Sequence, residues 1–389
     1  MQFLGGLTPG QFLAEYWQKK PLLIKGALPG FTSPVRPVEL RRLAQKDDVI
    51  ARLILEEGGE YPWELRDGPF TARELATLPK TKWALLVQEV DKHHEGARAL
   101  LEPLSFIPQW RIDDVMVSLA PADSGVGAHI DHYDVFLLQG LGRRRWRIGD
   151  APVPPGEEGV FEDRDVSVLR DFRWTHEYIL EPGDMLYLPP RVAHEGTALD
   201  ECITISLGFR APSQRDVVAE FADYLAPRIP EHAFYSDPGL TPTDAPGLVD
   251  EQAISRLRAL LLEALQDEDA FRSWALSSLT SARRVVFEDE WDDDEDEPLA
   301  EEDLLDALRE GAPLVRVAGL RIAYTVLPDG FTVLGVGGRT YRLEPALAFA
   351  GPLLAHHETL TSEHLLPHLS APDFVALLAT LVSEGALAL

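Results

Sequence analysis

Between about Lys82 and Arg210 the chain is a succession of short runs dense in branched and aromatic residues: KWALLVQEV, DVMVSLA, YDVFLLQ, RRRWRI, DMLYL and CITISLGF, punctuated by Gly and Pro. Runs this short with turn residues between them predict strands, and many in succession predict a sandwich or barrel of the jelly-roll kind. Ahead of them, Thr8 is placed to cap a first helix with Phe12, Tyr16 and Trp17 on one face; Pro21 stops it, and LLIK reads as a strand. Beyond Arg210 the period changes. Ser213 reads as a cap for a helix on which Val217, Val218, Phe221, Ala222 and Leu225 recur. A loop rich in Pro, Asp and Thr spans Pro230 to Pro246, and a second helix carries Ile254, Leu257, Leu260, Leu261 and Leu265. These apolar faces need a cover, either the barrel or another subunit, and the pattern does not choose between them. Further on, EEDLLDAL predicts a helix. Leu314 to Leu343 predicts a hairpin turning at Pro328-Asp329-Gly330 with a later tight turn at Gly337-Gly338, and Asp373 to Leu381 is helical again. Helices around a small β-wing suggest a winged-helix-like module.

Length and charge narrow this picture. A chain of 389 residues exceeds one ordinary core, so two or three domains are expected. A net charge of −28 repels nucleic-acid phosphate and anionic lipid and steers basic partners in, an attraction that salt weakens; the bland reading is solubility or a salt-adapted host. Glu288 to Glu297 is acidic apart from Trp291, a linker or else a contact for a basic partner. The C-terminal module is not basic, which argues against DNA binding. Cys202, the sole cysteine, rules out an internal disulfide and a zinc–cysteine cluster, and its apolar surroundings make it an inert core residue. The N-terminus lacks the pattern of a secretory signal and no stretch is long and apolar enough to span a bilayer, so the expectation is a soluble, cytoplasmic protein without internal repeats.

The candidate chemistry sits in the strand-rich part. His129-Ile130-Asp131 is followed some sixty residues later by PGDMLYLPPRVAH, ending at His194. On a strand, residues 129 and 131 point to one face, with Tyr133 continuing it and His132 and Asp134 pointing the other way. Most isolated HxD triplets are ordinary surface or core residues. Joined to a late histidine delivered by a turn and a strand, the triplet reads as the two-His, one-carboxylate set that holds Fe(II) with open positions; a catalytic zinc could use the same ligands. Gly140-Leu141-Gly142 turns the chain into RRRWR, where Arg144 and Trp146 share a face. An arginine inside a barrel needs an anion, and a dicarboxylate such as 2-oxoglutarate fits its fork; the bland reading, a basic surface strand, suits Arg143, Arg145 and Arg147. Asp114, Met116 and Ser118 share one strand face. Ser118 could donate to the same carboxylate. Asp114, with Tyr133, could hold an arginine of a substrate, or could merely cap a turn. Thr204, Ser206 and Arg210 either line the pocket or only pack.

WRIDDVMVS, HIDHYDVFLLQGLGRRRWRIG, PGDMLYLPPRVAH and SLGFRAP together resemble the bacterial ribosomal oxygenases of the JmjC/cupin superfamily, in particular those that hydroxylate an arginine of a large-subunit ribosomal protein. The likeness runs in motif detail from about Phe3 to Pro212 and afterwards in layout only. It implies an α+β architecture: a double-stranded β-helix (cupin/JmjC jelly-roll) over residues 1–210, a helical dimerisation region over 211–286, an acidic linker over 287–300, and a winged-helix-like domain over 301–389. It implies that His129, Asp131 and His194 bind Fe(II), that Arg144 and Ser118 bind 2-oxoglutarate, and that Asp114, Met116 and Tyr133 shape the substrate pocket. It further implies that O₂ is the oxidant, a basic ribosomal protein the partner, and the chain a homodimer. The acidic run is longer than the family leads one to expect. Because the family includes histidine hydroxylases, histidine is the alternative target. A metal-dependent cupin acting on a small molecule and a non-enzymatic acidic binding module are the readings from other classes.

Overall fold

In the computed structural model residues 2–56, 63–161, 166–281 and 301–389 are described. They form two compact units, Met1–Ala211 and Pro212–Leu389. The acidic run 288–297 lies outside the described residues.

Among the described residues, eleven strands build the first unit: β1 (Leu22–Ile24), β2 (Ala51–Glu56), β3 (Trp63–Asp67), β4 (Trp83–Val87), β5 (Ile112–Ala120), β6 (Val135–Leu141), β7 (Arg144–Pro152), β8 (His176–Leu180), β9 (Met185–Leu188), β10 (Val192–Ala198) and β11 (Cys202–Phe209). A large sheet runs β1-β9-β6-β11-β5-β4-β2-β3 and a small one β10-β7-β8, with antiparallel pairing throughout. Strand alternation decides what each face does. Val115, Val117 and Leu119 of β5, Phe136 and Leu138 of β6, and Ile203, Ile205 and Leu207 of β11 join Phe12, Leu40 and Leu104 in a core on the outer face of the large sheet. Val135 and Leu137 of β6 and Leu186 and Leu188 of β9 meet Trp146, Ile148, Leu180 and Val192 of the small sheet, so this second core lies between the two sheets. The jelly-roll expected from the strand runs is thus present. The sheet is wider than the runs suggest, because β2 and β3, which precede Lys82, extend it.

The first helix, Pro9–Glu15, is capped by Thr8 in a reciprocal capping box with Gln11. It ends well before Pro21. Tyr16 is already its C-cap and Gln18 turns left-handed at φ 56°, so Pro21 follows the stop instead of causing it. The Pro182-Gly183-Asp184 turn does need its glycine: φ is 89°, and a Cβ there would sit 2.3 Å from the Leu28 carbonyl oxygen. Asp184 ties the turn to β1 by accepting from the N–H groups of Gly26 (2.8 Å) and Glu181 (2.9 Å) and from Lys25.

In the second unit Ser213 caps Gln214–Leu225 through the Asp216 N–H, as its sequence foretells. Phe221 and Leu225 of that helix bury against Trp274 of Glu268–Thr280. The helix Glu251–Ala264 has no buried residue, and Ile254, Leu257, Leu261 and Leu262 are exposed on it; Leu265 is its C-cap. The hairpin turns where expected, between Ile322–Val326 and Thr332–Val336, and Gly337-Gly338 leads into Arg339–Leu343. Leu304 and Leu308 of Glu301–Glu310 and Phe374 and Leu378 of Pro372–Ser383 complete a core with this wing. Glu268–Thr280 lies so close to the wing that a Cβ on Gly335 would come 2.9 Å from the Leu276 carbonyl oxygen. Among the described residues no helix is long and apolar enough to cross a membrane.

Candidate metal and cosubstrate site

His129, Asp131 and His194 converge: one ligating atom from each lies within 4.8 Å of the others. The route differs from the strand expected for residues 129–131. That segment is irregular and only His129 pairs, in an isolated antiparallel bridge with His194. The two residues exchange both backbone hydrogen bonds, His129 N–H to His194 C=O at 3.0 Å and the reverse at 2.9 Å. Asp131 is fixed separately, its carbonyl accepting from the Arg191 N–H at 2.6 Å. The register with β10, not the pleat of a strand, brings the three side chains together.

The electrostatics prepare the site for a cation. His194 Nδ1 lies 2.9 Å from the Val192 carbonyl and His129 Nδ1 lies 3.0 Å from that of Gly127. A carbonyl only accepts, so each Nδ1 carries the proton and each Nε2 of a neutral ring offers its lone pair. Burial, with His129 beside it, lowers the His194 pKa to about 4, so this ring is neutral near pH 7. Its Nε2 stands 3.5 Å from Asp131 Oδ2, and the rings of His129 and His194 are 4.2 Å apart. Lone pairs and a carboxylate facing one another with no proton between them repel unless a cation sits there. This donor set suits a two-His, one-carboxylate metal centre.

Alternation places the remaining residues. Asp114, Met116 and Ser118 lie on the face of β5 opposite its outer-core residues, and Thr204 and Ser206 do the same on β11, so all five face the space between the sheets. Ser118 and Thr204 are cross-strand partners, with Ser118 Oγ 3.4 Å from the Thr204 carbonyl oxygen. Arg144 shares the inner face of β7 with Trp146 and Ile148 and is 5% exposed. Its Nε and Nη2 reach no hydrogen-bond partner among the described residues. A buried cation left unpaired costs several kcal/mol, so an anion belongs beside it. Trp146 bridges the two halves of the site: the Arg144 guanidinium lies 5.6 Å from its ring, and its ring lies 5.8 Å from that of His194. By contrast, Arg143 pairs with Asp200, and Arg147 with Glu177 and Glu195.

Tyr133 packs on the inter-sheet core and Met116 is half-buried. Asp114 is buried with Oδ2 accepting the Glu89 N–H at 3.0 Å, which pins a left-handed turn (Glu89 φ 53°), so it has a structural task whatever else it binds. Asp134 does point away from the triad. It is fully buried, accepts from Tyr187 Oη (2.6 Å), Gln18 Nε2 (3.0 Å) and Arg111 Nη2 (3.2 Å), and burial raises its pKa. Gln139 went unnoticed in the sequence. Its Nε2 donates to the carbonyls of Leu141 (2.8 Å) and Gly142 (3.2 Å) and its Oε1 accepts from Thr204 (3.0 Å), setting the turn that delivers Arg144. The available signal was one amide inside the apolar run VFLLQ.

Residues 99–217 match the JmjC domain model and residues 263–388 the ROXA-like winged helix. The Escherichia coli K12 ribosomal protein uL16 3-hydroxylase is 36% identical over 397 aligned positions, covering 99% of this chain and 98% of that protein. A probable ribosomal oxygenase of Haemophilus influenzae is 34% identical over 344 positions, covering 83% and 80%. The structure of YcfD, a ribosomal oxygenase from E. coli in complex with cobalt and 2-oxoglutarate, superposes with a TM-score of 0.83 at 35% identity, covering 98% of each chain. The likeness therefore continues in sequence well past Pro212, where the motifs alone had reduced it to layout. With a jelly-roll, a winged helix and a two-His, one-carboxylate cluster in one chain, this protein belongs to the bacterial ribosomal oxygenases of the JmjC superfamily.

Proposed function

We propose that the chain is an Fe(II)- and 2-oxoglutarate-dependent hydroxylase of the ribosomal protein uL16, acting on an arginine side chain. The observation that carries this reading is Arg144, a buried guanidinium with two nitrogens that find no partner among the described residues, set across one tryptophan from the metal-ready triad. His129, Asp131 and His194 hold Fe(II); Arg144 and Ser118 hold the far carboxylate of 2-oxoglutarate. The register supports the fit. Arg144 lies four residues along β7 from Ile148, the partner of His194, a rise of roughly 13 Å that an arginine side chain and a five-carbon diacid span together. When bound, the iron and 2-oxoglutarate supply the activation of O₂ that a protein side chain cannot.

The rest is the work of the chain. The neutral His194 ring offers its lone pair, Gly127 and Val192 fix both histidine tautomers, and the buried Trp146 ring lies between His194 and the Arg144 guanidinium. Asp114, Met116 and Tyr133 shape the substrate pocket, Asp114 giving a carboxylate to an incoming guanidinium. The uL16 substrate rests on the E. coli relative, and the net charge of −28 suits a basic ribosomal protein found in the cytoplasm. The region 211–286 provides a homodimer contact, supported by the exposed leucines of Glu251–Ala264, and the domain 301–389 follows it; the linker 287–300 lies outside the described residues.

The test is intact-mass analysis of uL16 incubated with the protein, Fe(II) and 2-oxoglutarate. The expected result is a gain of ~16 Da, one oxygen atom, located on an arginine by fragmentation and abolished in Arg144→Ala. A shift on histidine moves the target, and no shift on uL16 removes the substrate assignment. A small-molecule cupin, which has no need of Arg144, predicts turnover that survives that substitution.

A further inference from the structure

Arg191, one residue ahead of β10, stands in the left-handed region at φ 67° although it is not glycine. That backbone is unfavourable for an L-residue and persists where surrounding contacts over-determine it. Here they do. Its N–H donates to the Asp131 carbonyl at 2.6 Å, and its own carbonyl accepts from the Val153 N–H at 2.9 Å. Its Nε donates to the Val153 carbonyl at 2.7 Å and its Nη2 to Glu158 Oε1 at 2.6 Å. The side chains of this ion pair are only 19% and 25% exposed. Val153 and Glu158 belong to the connection from β7 to β8, described over 153–161 and 166–175. The same connection touches the HxD segment a second time. Leu169 N–H donates to the Ala128 carbonyl at 2.8 Å, and Val168 packs on Gly127 opposite Trp63 of β3, so that a Cβ on Gly127 would fall 3.0 Å from Val168 and 2.8 Å from Trp63. The Gly127 carbonyl is the group that sets the His129 tautomer.

We propose that Arg191 is a positioning residue for the metal centre, holding Asp131 by its backbone while its guanidinium, through Val153 and Glu158, locks the β7–β8 connection against the HxD segment. This rests on the triad being the metal site. A glycine would satisfy the left-handed backbone without strain, so an arginine there makes sense through what its side chain joins. Glu158 answers it: beside Arg191 its carboxyl is held below the usual range. The planar fork reaches a carbonyl and a carboxylate through two nitrogens held in fixed geometry, whereas a lysine offers one ammonium on a flexible stem.

The experiment compares metal-free full-length wild type with Arg191→Gly, Arg191→Lys and Glu158→Gln by titration with Co(II), by tryptic cleavage after Arg170 and Arg173, and by thermal melting. Arg191→Gly keeps the N–H that holds Asp131 and removes the strain, so its fold should survive. Its Co(II) dissociation constant should rise by ~10-fold, the scale of an outer-sphere partner, and cleavage after Arg170 or Arg173 should quicken. Arg191→Lys should fall in between and Glu158→Gln should shift both readouts in the same direction. Unchanged Co(II) affinity and cleavage in Arg191→Gly overturn the proposal. His194→Ala separates this from failure of the metal site itself. If it abolishes Co(II) binding while Arg191→Gly leaves binding and cleavage intact, only the positioning role falls; if it binds Co(II) as wild type does, both readings fall.

Discussion

At the scale of single residues the site is a set of charges that make sense only together. Three lone-pair donors converge with no proton among them, and a guanidinium lies buried with two nitrogens that find no partner among the described residues. The Fe(II) and 2-oxoglutarate proposed above match these charges in sign. The arginine's role is tested by Arg144→Lys. The charge stays but the bidentate geometry goes, and one charge-assisted hydrogen bond is worth about 1.5–3 kcal/mol. The KM for 2-oxoglutarate should therefore rise roughly 10–100-fold while Co(II) affinity is unchanged; an unaltered KM would mean that the carboxylate binds elsewhere. The candidate ligands His129, Asp131 and His194 could be picked out from the sequence by their spacing, and Arg144 and Ser118 as charged or polar side chains on the inner face of a strand. Gln139 and Arg191 were not conspicuous. Gln139 works through backbone carbonyls, and Arg191 through a left-handed φ that no residue pattern announces.

At the scale of elements, turns do the positioning. The Pro182-Gly183-Asp184 turn joins β9 to β1, and with it the strand that leads into β10 and His194. Burial alone would raise the Asp184 pKa, but Lys25 and the N–H groups of Glu181 and Gly26 outweigh it and hold the carboxyl below its usual range. A lowered folded-state pKa means stability that is fully present above the unfolded value of ~3.9 and is lost as pH falls through the folded one. Asp184→Asn should thus cost about 1–3 kcal/mol at pH 7 in denaturant melts, with the difference from wild type shrinking in strong acid. A pH-independent difference would show that the ionised form contributes nothing. Helix starts, capped by Thr8 and Ser213, could be read directly because a cap is a local hydrogen bond. The end of the first helix could not, since Gln18 reverses the chain to donate its N–H to the Tyr187 hydroxyl (2.8 Å) across the core.

For the whole molecule, Phe221, Leu225 and Trp274 form a small core of their own, yet Ile254, Leu257 and Leu261 remain 48%, 50% and 60% exposed on Glu251–Ala264. Burying such side chains is worth about 1.5–3 kcal/mol each, which favours covering them, as the homodimer proposed above would. Leu257→Asp with Leu261→Asp should convert a dimer into monomers in analytical ultracentrifugation while leaving metal binding in place; a wild type that sediments as a monomer at micromolar concentration would remove the dimer.

The sequence by itself determined the strand-rich and helical halves, the winged hairpin and the types of residue at the site, because periodicity, caps and turn glycines act within a few residues. The tertiary structure decided how those residues meet. His129 and Asp131 share a site through the bridge to β10, with the Arg191 N–H bonded to the Asp131 carbonyl, and Arg144 is buried because the inner face of the small sheet packs on β6 and β9. Register, burial and the missing partner of a charge depend on strands far apart in the chain, and only the folded molecule brings them to one place.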